Sequence, residues 1–446
     1  MIDFLIIGSG FAGAAMTIHL VEAGVDPKNI YVVGPTILGS GNAYGCKHKD
    51  YRLNVRSEIM WIHPEKKNEF TNWAKKNTKD PLALHKCGDF YRRTDFGIFV
   101  HSKLEKILQK KELVHKRNLV TKIFKEKDGL WVSLLDNRQK LTSKNIILAT
   151  GNPVPAWPCH IEEKAMKRKG ALIENPWSGN WVNNIHKKDR ILIIGTGLTA
   201  LDCIAALKTL RHEGQIILVS KSGSFPPIQA KWERKQNPNW PGENNQELLP
   251  STMIKFFKNY LPDNPPSTPE WQSAWEELRL DLNQHWDRIS DDGKIKLKNK
   301  LYSTWSRFRY RASPHTISAK EYFIKNNQIK LYKGYVKNIS LEGKGLFSCM
   351  FDGGKVIADK VINCSGKGND NLIKQIINDK LGVQDIFNET LKVDKNNKVI
   401  PFKTKENVGL YMIGPTLMES FGDAVAANKV SMQGLNLAKL LTNKIS

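Results

Sequence analysis

Short apolar runs, each followed by glycine and then by a helix-like segment, dominate the pattern of hydrophobic and polar positions. The first run, Phe4–Ile7, ends at Gly8 and leads into the small-residue segment Ala14–Leu20. A second run of the same kind, Ile191–Ile194, ends at Gly195. Apolar runs of this length that alternate with helical segments are typical of buried strands in a parallel α/β sheet. The pattern therefore predicts two α/β units in one chain.

Three further apolar segments lie close together before residue 150 and are separated by short polar turns. They are Leu119–Phe124, Leu130–Leu135 and Asn145–Ala149. Strand-like segments joined by such short connections predict an antiparallel meander that returns to the main sheet.

The residues after the first strand form the pattern Gly8-x-Gly10-x-x-Gly13. Gly8 permits a tight turn, Gly10 lets the backbone approach a pyrophosphate, and Gly13 lets the helix pack closely on the strand. The free N–H groups at the start of the helix then hold the anion. Because the motif follows a strand and opens a helix, it predicts a dinucleotide site that includes Phe11 and Ala12.

The same pattern recurs at Gly195-x-Gly197-x-x-Ala200, with Leu198 and Thr199 at the start of the second helix. One such motif arises by chance in ordinary turns, but two in one chain form a specific combination. They predict two dinucleotides, one held tightly and one exchanging. The fold class that follows is α/β with two Rossmann-like dinucleotide-binding domains.

The ends of the two second strands should show which ribose each unit recognises. In the first unit, Gly34 stands where an acidic residue usually binds the ribose hydroxyls, so the expected carboxylate is missing. In the second unit, the corresponding strand ends in Ser220 and Lys221. A hydroxyl and a cation suit the 2′-phosphate of NADPH better than the free ribose of NADH, although Lys221 could also be a solvated loop lysine.

Small and polar residues elsewhere complete the predicted cofactor-binding set. A glycine-rich loop contains Gly41, Asn42 and Tyr44 and could lie against a flavin or its diphosphate. A small-residue strand end lets the chain pass over a bound nucleotide, and it contains Thr150, Gly151 and Asn152. The remaining members of the set are Asn54, Arg309, Arg311, Gly366, Gly414 and Asp423.

Arginine occupies alternate positions in the segment from Trp305 to Pro314, at 307, 309 and 311. In a strand these side chains would share one face, and in a loop they would form a cationic cluster. Either arrangement suits an NADPH phosphate or an acidic substrate, whereas a solvated basic face is the plainer alternative.

Residues 228–300 differ from the rest of the chain, because tryptophans lie among charged helical stretches and proline breaks. They predict a helical insertion that could cap the active site. Helical spacing of Trp271, Trp275 and Leu278 more often indicates core packing than a ligand site. We therefore predict an FAD-binding domain over 1–165, an NAD(P)-binding domain with the insertion over 166–300, and a return to the FAD-binding domain over 301–446.

Composition narrows the functional classes. The formal net charge of +24 suggests an anionic partner, but the excess is mainly lysine spread along the chain, so nucleic-acid binding is not expected. Six scattered cysteines without a CxxC pair predict neither a metal site nor a disulfide reductase. No apolar stretch approaches the roughly 20 residues of a membrane span, and a cytoplasmic location is expected. The oligomeric state is left open.

With these segments placed, the chain resembles the bacterial FAD-NAD(P)-binding family, whose relatives include class B flavin monooxygenases and N-hydroxylating enzymes. The resemblance covers nearly the whole length. It rests on both glycine motifs and on the segments Gly41–Tyr44, Leu53–Val55, Leu148–Pro153, Asn175–Trp177 and Trp305–Pro314. It implies FAD on the first motif and NAD(P)H on the second, with the FAD domain discontinuous and the NAD(P) domain inserted into it.

The function predicted from these features is that of an NADPH-dependent monooxygenase, which uses O2 to hydroxylate a small molecule through a flavin C4a-peroxide. The flavin carries this chemistry, so no catalytic residue is assigned from the sequence. One alternative is an FAD-linked oxidase or dehydrogenase of an amine or alcohol, with the second motif structural. The other is a non-catalytic cofactor-binding or basic binding protein.

Overall fold

The computed structural model describes residues 1–242, 246–343, 345–366, 368–403 and 408–442. Their first sheet has seven strands in the order β3-β2-β1-β6-β5-β4, and β16 pairs with the C-terminal part of β6. The strands are β1 (Ile2–Ile7), β2 (Ile30–Val33), β3 (Val114–Lys116), β4 (Val120–Lys125), β5 (Trp131–Leu135), β6 (Lys140–Leu148) and β16 (Leu410–Met412). β1 is parallel to β2 and β6, whereas β4, β5 and β6 form the predicted antiparallel meander.

The second sheet repeats the parallel arrangement with five strands in the order β11-β10-β9-β15-β8. They are β8 (Leu172–Ile173), β9 (Ile191–Ile194), β10 (Ile216–Ser220), β11 (Ile329–Lys333) and β15 (Lys360–Asn363). A third sheet lies beside it in the order β14-β13-β12-β7. Its strands are β7 (His160–Ile161), β12 (Val336–Glu342), β13 (Leu346–Phe351) and β14 (Gly354–Ala358).

Helices cover the sheets and connect their strands. In chain order they are α1 (Phe11–Glu22), α2 (Gly41–Tyr44), α3 (Glu69–Asn77), α4 (Arg93–Ser102), α5 (Glu105–Gln109), α6 (Glu163–Met166), α7 (Leu198–Thr209), α8 (Pro250–Tyr260), α9 (Pro269–His285), α10 (Asp291–Arg309), α11 (Pro314–Lys325), α12 (Asn371–Asn378), α13 (Met418–Phe421) and α14 (Ala427–Thr442). Among the helices of the described ranges, none combines the length and the apolar composition that a membrane span requires.

The cores lie where apolar faces of helices meet the sheets. On one face of the first sheet, α1 and α14 pack together with the aromatic side chains of α3 and α4, such as Phe70 and Phe96. On the other face, Ile376 of α12 packs over the meander. The second sheet has its own core, in which α7 is almost wholly buried. Each helix that follows a glycine turn is thus fixed against its sheet along its length.

The helical insertion is confirmed over its described part, with α8, α9 and α10 packed around their own apolar core. Residues 243–245 of the predicted segment lie outside the described residues. Trp271 and Trp275 stack with ring centroids 5.2 Å apart, and Phe308 packs against both rings. Both tryptophans are buried, as their helical spacing predicts.

Strand pairing corrects two sequence-based expectations. The return to the first sheet does not begin at residue 301, because β11 and β15 pair with β10 and β9 in the second sheet. The first strand after that point to rejoin the first sheet is β16. The arginine-rich segment is neither strand nor loop along most of its length, because α10 continues to Arg309.

Two connections between the sheets lie side by side. The first follows β6 and the second follows β15. The backbone N–H of Gly368 donates to the carbonyl oxygen of Val154 at 3.1 Å, and Asn363 Nδ2 donates to Ala156 O at 3.0 Å. The two crossings of the chain are therefore paired with each other.

Candidate cofactor-binding site

The first glycine turn is packed so closely that side chains are excluded from it. Gly8 has φ +124°, and a Cβ atom there would lie 2.1 Å from the carbonyl oxygen of Ala149. A Cβ on Gly13 would lie 1.9 Å from Gly8 O. Helix α1 then begins after Gly10, which makes no side-chain capping bond, and no acidic residue lies in its first turn. Its first N–H groups are therefore arranged as an anion site.

The second glycine turn is built in the same way at the edge of the second sheet. Gly195 has φ +110°, and a Cβ atom there would lie 2.4 Å from the carbonyl oxygen of Cys364. Its N–H donates to Val219 O at 2.8 Å, as that of Gly8 donates to Val33 O at 2.7 Å. Helix α7 follows Gly197 without a side-chain cap or an acidic residue in its first turn. The two turns therefore share one geometry, and each leaves the first N–H groups of its helix free to bind an anion.

The remaining residues of both turns occupy equivalent places. Phe11 and Ala12 are buried at the start of α1, and Ala200 is fully buried where the first turn has Gly13. Leu198 and Thr199 are partly exposed at the start of α7. The second turn thus tolerates a methyl group at its third position.

The carboxyl ends of β1, β6 and β16 lie at the same level, because Ile7 pairs with Leu148 and Leu148 pairs with Met412. Two residues that follow these strands, Thr150 and Thr416, have buried hydroxyl oxygens without a hydrogen-bond partner among the described residues. Ligands of parallel α/β sheets bind outside this edge. Unpartnered buried oxygens at the edge fit a polar group of a bound cofactor.

Several glycines of the predicted set border open space at the same edges. A Cβ atom on Gly151, Gly197, Gly366 or Gly414 would have no atom within 4 Å. Asn152 follows Gly151 and is exposed. The edge of each sheet thus leaves room at the point where a nucleotide would lie.

The glycine-rich loop lies directly against the first turn. Gly41 has φ +52°, and a Cβ atom on it would lie 2.8 Å from the Cα atom of Gly10. The ring of Tyr44 packs edge-on against Phe96 at 4.9 Å, and burial raises the pKa of its phenol to about 12. Asn42 is exposed and Asn54 is partly buried. The loop therefore places backbone, rather than bulk, beside the anion site.

Close packing at Gly34 explains why the acidic residue expected at this position is absent. A Cβ atom there would lie 2.4 Å from Ser9 N and 2.5 Å from Ser9 Oγ. The Ser9 hydroxyl lies 2.8 Å from Thr36 Oγ1. Any side chain at position 34 would displace the middle of the first turn.

In the second domain the equivalent contact reaches the predicted ribose-recognition segment. Thr196 Oγ1 lies 2.9 Å from Ser220 Oγ and 2.8 Å from Ser224 O. Lys221 is exposed, with its ammonium group 4.9 Å from the ring centre of Tyr335. Arg307 Nη1 donates to Ser224 Oγ at 3.4 Å, and its Nε has no hydrogen-bond partner among the described residues. A second cation therefore lies at this segment.

Arg309, Arg311 and Asp423 belong instead to a buried charge network, and their side chains are committed to each other and to the insertion. Arg309 Nε donates to both carboxylate oxygens of Asp423 at 3.0 Å. Arg311 Nη2 donates to Glu276 Oε1 at 2.6 Å, and Arg279 bonds both Glu276 and Asp423. The network joins α9, the end of α10 and the segment before α14.

The network controls the titration of its acids. Burial alone would raise the pKa of Glu276, but the guanidinium groups of Arg279 and Arg311 outweigh burial and lower it to about 2. Arg309 and Arg279 likewise hold the pKa of Asp423 well below its usual range, against the effect of burial. Both acids are therefore ionised at neutral pH and hold the arginines in place.

The contact between the two domains centres on residues outside the predicted cofactor-binding set. Arg93 Nη2 donates to Asp202 Oδ2 at 3.0 Å, and burial raises the pKa of Asp202 to about 6 against the effect of Arg93. The hydroxyl of Tyr51 donates to Pro176 O at 2.9 Å and accepts from Trp181 Nε1 at 3.0 Å. In the sequence, Asp202 follows the second turn by two residues and Pro176 lies in the Asn175–Trp177 segment, but neither position predicts a contact between the domains.

Residues 5–153 match the model of the FAD-NAD(P)-binding family. Among solved structures, the fold is similar to ornithine N-hydroxylase of Kutzneria sp. 744, recorded with reduced FAD, NADP+ and L-ornithine (TM-score 0.65, 11% identity). It is also similar to ornithine hydroxylase of Pseudomonas aeruginosa (0.66, 12%) and L-lysine 6-monooxygenase of Pseudomonas syringae (0.62, 13%). Each likeness covers 100% of both chains. No curated protein sequence matches the chain. The shared feature is the fold with two dinucleotide-binding domains.

Proposed function

We propose that the protein is an FAD-dependent monooxygenase that oxidises NADPH and hydroxylates a small molecule. The match of residues 5–153 to the model of the FAD-NAD(P)-binding family supports this proposal. The observation that carries this proposal is the repetition of one anion-binding turn in two domains. Gly8 packs on Ala149 in the first domain as Gly195 packs on Cys364 in the second. A protein that holds only one nucleotide needs only one such turn.

The residues of the first domain fit FAD. The first turn and the start of α1 would hold its diphosphate, with Gly41 close enough to confine it. The unpartnered hydroxyls of Thr150 and Thr416 are available for hydrogen bonds to the rest of the cofactor. When bound, FAD supplies hydride acceptance and the reaction with O2, while the protein orients it and excludes water.

The residues of the second domain fit NADPH better than NADH. The second turn would hold the diphosphate at the start of α7. Lys221 and Arg307 bring two cations to the end of β10, where the 2′-position of the ribose is recognised. A phosphate gains charge-assisted hydrogen bonds from such a pair, whereas a free hydroxyl gains far less.

The substrate that we propose to test first is a small primary amine. The solved structures of the same fold include two hydroxylases named for ornithine and a monooxygenase named for L-lysine. This chain's own contribution to substrate binding is proposed to come from the insertion, whose helices reach the first domain through Arg279 and Asp423. The insertion would exclude water from the space between the domains.

An absorbance spectrum of the purified protein tests the cofactors. We expect flavin bands at about 370 and 450 nm. Under anaerobic conditions these bands should disappear faster with NADPH than with NADH. A Gly195→Ala variant should retain the bands but lose their reduction by NADPH, because its Cβ atom collides with Cys364 O. Ala200→Gly restores the third glycine and serves as the matched control, with reduction retained.

The same experiment separates the alternatives. Reduction of the flavin by an amine alone, without NADPH, would identify an oxidase or dehydrogenase and contradict the monooxygenase proposal. A protein that neither carries nor takes up FAD would contradict the enzyme proposal altogether. Faster oxygen consumption with an amine present, together with a hydroxylated product, would support the proposal in full.

A further inference from the structure

We propose that His19, Glu22 and His63 form a binding site for one Zn2+ ion at the end of α1 remote from the first glycine turn. His19 and Glu22 lie three residues apart on the last turn of α1 and therefore share one face of the helix. His63 belongs to the segment between the 3-10 helix at 57–59 and α3. Eight residues separate Phe11 from His19, so the site lies about 12 Å along the helix from its start.

The three side chains already converge on one point. Glu22 Oε2 lies 2.8 Å from His63 Nε2 and 3.8 Å from His19 Nδ1. One ligand atom from each residue lies within 4.8 Å of the other two. Tetrahedral Zn2+ with bonds of roughly 2.0–2.1 Å requires ligand atoms about 3.3 Å apart. The Glu22 side chain is 50% exposed, so it can move toward this geometry without disturbing the core, and a small rotation of the histidine rings would complete it.

Hydrogen bonding fixes the tautomer of His19 in the form that a metal needs. Ser431 donates its single hydroxyl proton to Ile62 O at 2.6 Å. Its oxygen can therefore only accept from His19 Nε2–H, which lies 3.0 Å away. The lone pair of the neutral ring is then on Nδ1, which faces Glu22. Nδ1 is buried without a hydrogen-bond partner among the described residues, and His19 is only 1% exposed.

A carboxylate also lies near the second ring nitrogen of His63. Its Nδ1 lies 4.0 Å from Glu69 Oε2, and Glu69 is held by Lys103. When Nε2 binds a metal, Nδ1 carries the proton and faces this carboxylate. A ligating histidine whose other nitrogen donates to a carboxylate or another acceptor is the usual arrangement at zinc. His19 thus has an orienting hydrogen bond, whereas His63 Nδ1 has a carboxylate nearby but no hydrogen bond to it among the described residues.

The donor set selects the class of ion. Two imidazole nitrogens and one carboxylate oxygen suit Zn2+ and related transition metals, whereas Mg2+ and Ca2+ prefer oxygen ligands. The exposed side of Glu22 leaves a fourth position for water. An ion here would join α1 to the segment before α3 and, through Ser431, to α14. The expected consequence is a more stable first domain, independent of the proposed oxidoreductase function.

The test is titration of the full-length, chelator-treated protein with ZnCl2, followed by calorimetry and thermal unfolding. We expect one ion per chain and a rise in Tm, because an ion that binds only the folded state stabilises it. Co2+ in place of Zn2+ should give visible absorption bands typical of a four-coordinate site. Excess Mg2+ should not displace either ion.

Two double variants and one single variant make the test specific. The double variant Glu22→Gln/His63→Gln should lose the Co2+ bands and weaken Zn2+ binding by at least tenfold. His160→Gln/Glu163→Gln alters the same residue types on the exposed surface and should bind as the wild type does. Ser431→Ala keeps the three ligands but removes the partner of His19, and should weaken binding by about 10- to 100-fold.

Equal Zn2+ affinity in the wild type and in the folded Glu22→Gln/His63→Gln variant would overturn the proposal. So would loss of binding in the surface control, or displacement of Zn2+ by equimolar Mg2+. Because Glu22 is half-exposed, a Glu22→Gln single variant remains folded if the double variant does not, and the same comparison then applies to it. Flavin content and NADPH oxidation are measured separately, so failure of either proposal is distinguishable.

Discussion

Gly34 has no room for a side chain, because Ser9 occupies the space beside its Cα atom. A charged hydrogen bond from an acid at this position is worth about 1.5–3 kcal/mol in other proteins. In this chain the same position instead sets the conformation of the first turn. In the proposed FAD site, ribose recognition would therefore use backbone and hydroxyl groups rather than an acid at position 34, beside which Ser9 and Thr36 contact each other.

We therefore predict that Gly34→Ala weakens FAD binding and lowers the free energy of unfolding by roughly 1–3 kcal/mol, the usual cost of overpacking. The measurements are the fraction of FAD retained after gel filtration and urea unfolding. Gly197→Ala adds the same methyl group into open space and should retain FAD. Equal loss in both variants would show that the collision with Ser9 is unimportant.

Lys221 and Arg307 carry the prediction on nucleotide choice. Replacing either with alanine should lower kcat/KM for NADPH by about 10- to 100-fold, the value of a hydrogen bond to a charged group. The value for NADH should change little, because NADH has no 2′-phosphate. Lys330→Ala, an exposed change of the same charge on β11, is the control. An equal decrease in kcat/KM for both nucleotides would show that these residues act on folding rather than on recognition of the 2′-phosphate.

At the level of elements, the buried charge network joins α9 and α10 to the segment before α14. Asp423→Asn leaves Arg279 and Arg309 without their common carboxylate. Removing one partner of a buried ion pair costs about 3–5 kcal/mol, so a loss of this order is expected in urea unfolding. Asp263→Asn, on the exposed surface, should change little. A decrease in the free energy of unfolding of less than about 1 kcal/mol would indicate that water reaches the network and screens its charges.

The same network gives the stability a pH dependence of known sign. The pKa of Glu276 is about 2 in the folded protein, below the ordinary value of 4.5, so the unfolded chain binds the proton first. The contribution is complete above pH 4.5 and is lost as the pH falls toward 2. The urea midpoint should therefore fall across this window, and less steeply in Glu276→Gln. Parallel curves for both proteins would exclude Glu276 as the source.

The elements also show what the sequence could predict. Strand, glycine and helix follow each other directly in both turns, so local pattern was sufficient to place them. The role of the arginines, in contrast, depends on partners that are distant in the sequence. Arg309 and Arg311 meet acids that are 114 and 35 residues away in the chain, whereas Arg307 donates to Ser224, 83 residues away. Spacing cannot distinguish these partners, and the pairing of β11 with β10 is equally non-local.

At the scale of the whole molecule, Tyr51 connects the two domains through its hydroxyl. Tyr51→Phe would leave Pro176 O and Trp181 Nε1 buried without this partner. We expect the free energy of unfolding to fall by about 1–3 kcal/mol and flavin reduction by NADPH to slow. Tyr322→Phe, at an exposed position, should have neither effect. Slower reduction without loss of stability would indicate a role in positioning alone.

The paired crossings of the chain have a mechanical consequence. Two connections that are hydrogen-bonded to each other, at Val154–Gly368 and Ala156–Asn363, would have to move together, because sliding one along the other would break these bonds. The salt bridge between Arg279 and Asp423 provides a separate link between the insertion and the first domain. A swing that widens the space between the domains must break that salt bridge together with the buried Arg93–Asp202 pair and the hydrogen bonds of Tyr51, so several polar contacts resist opening at once.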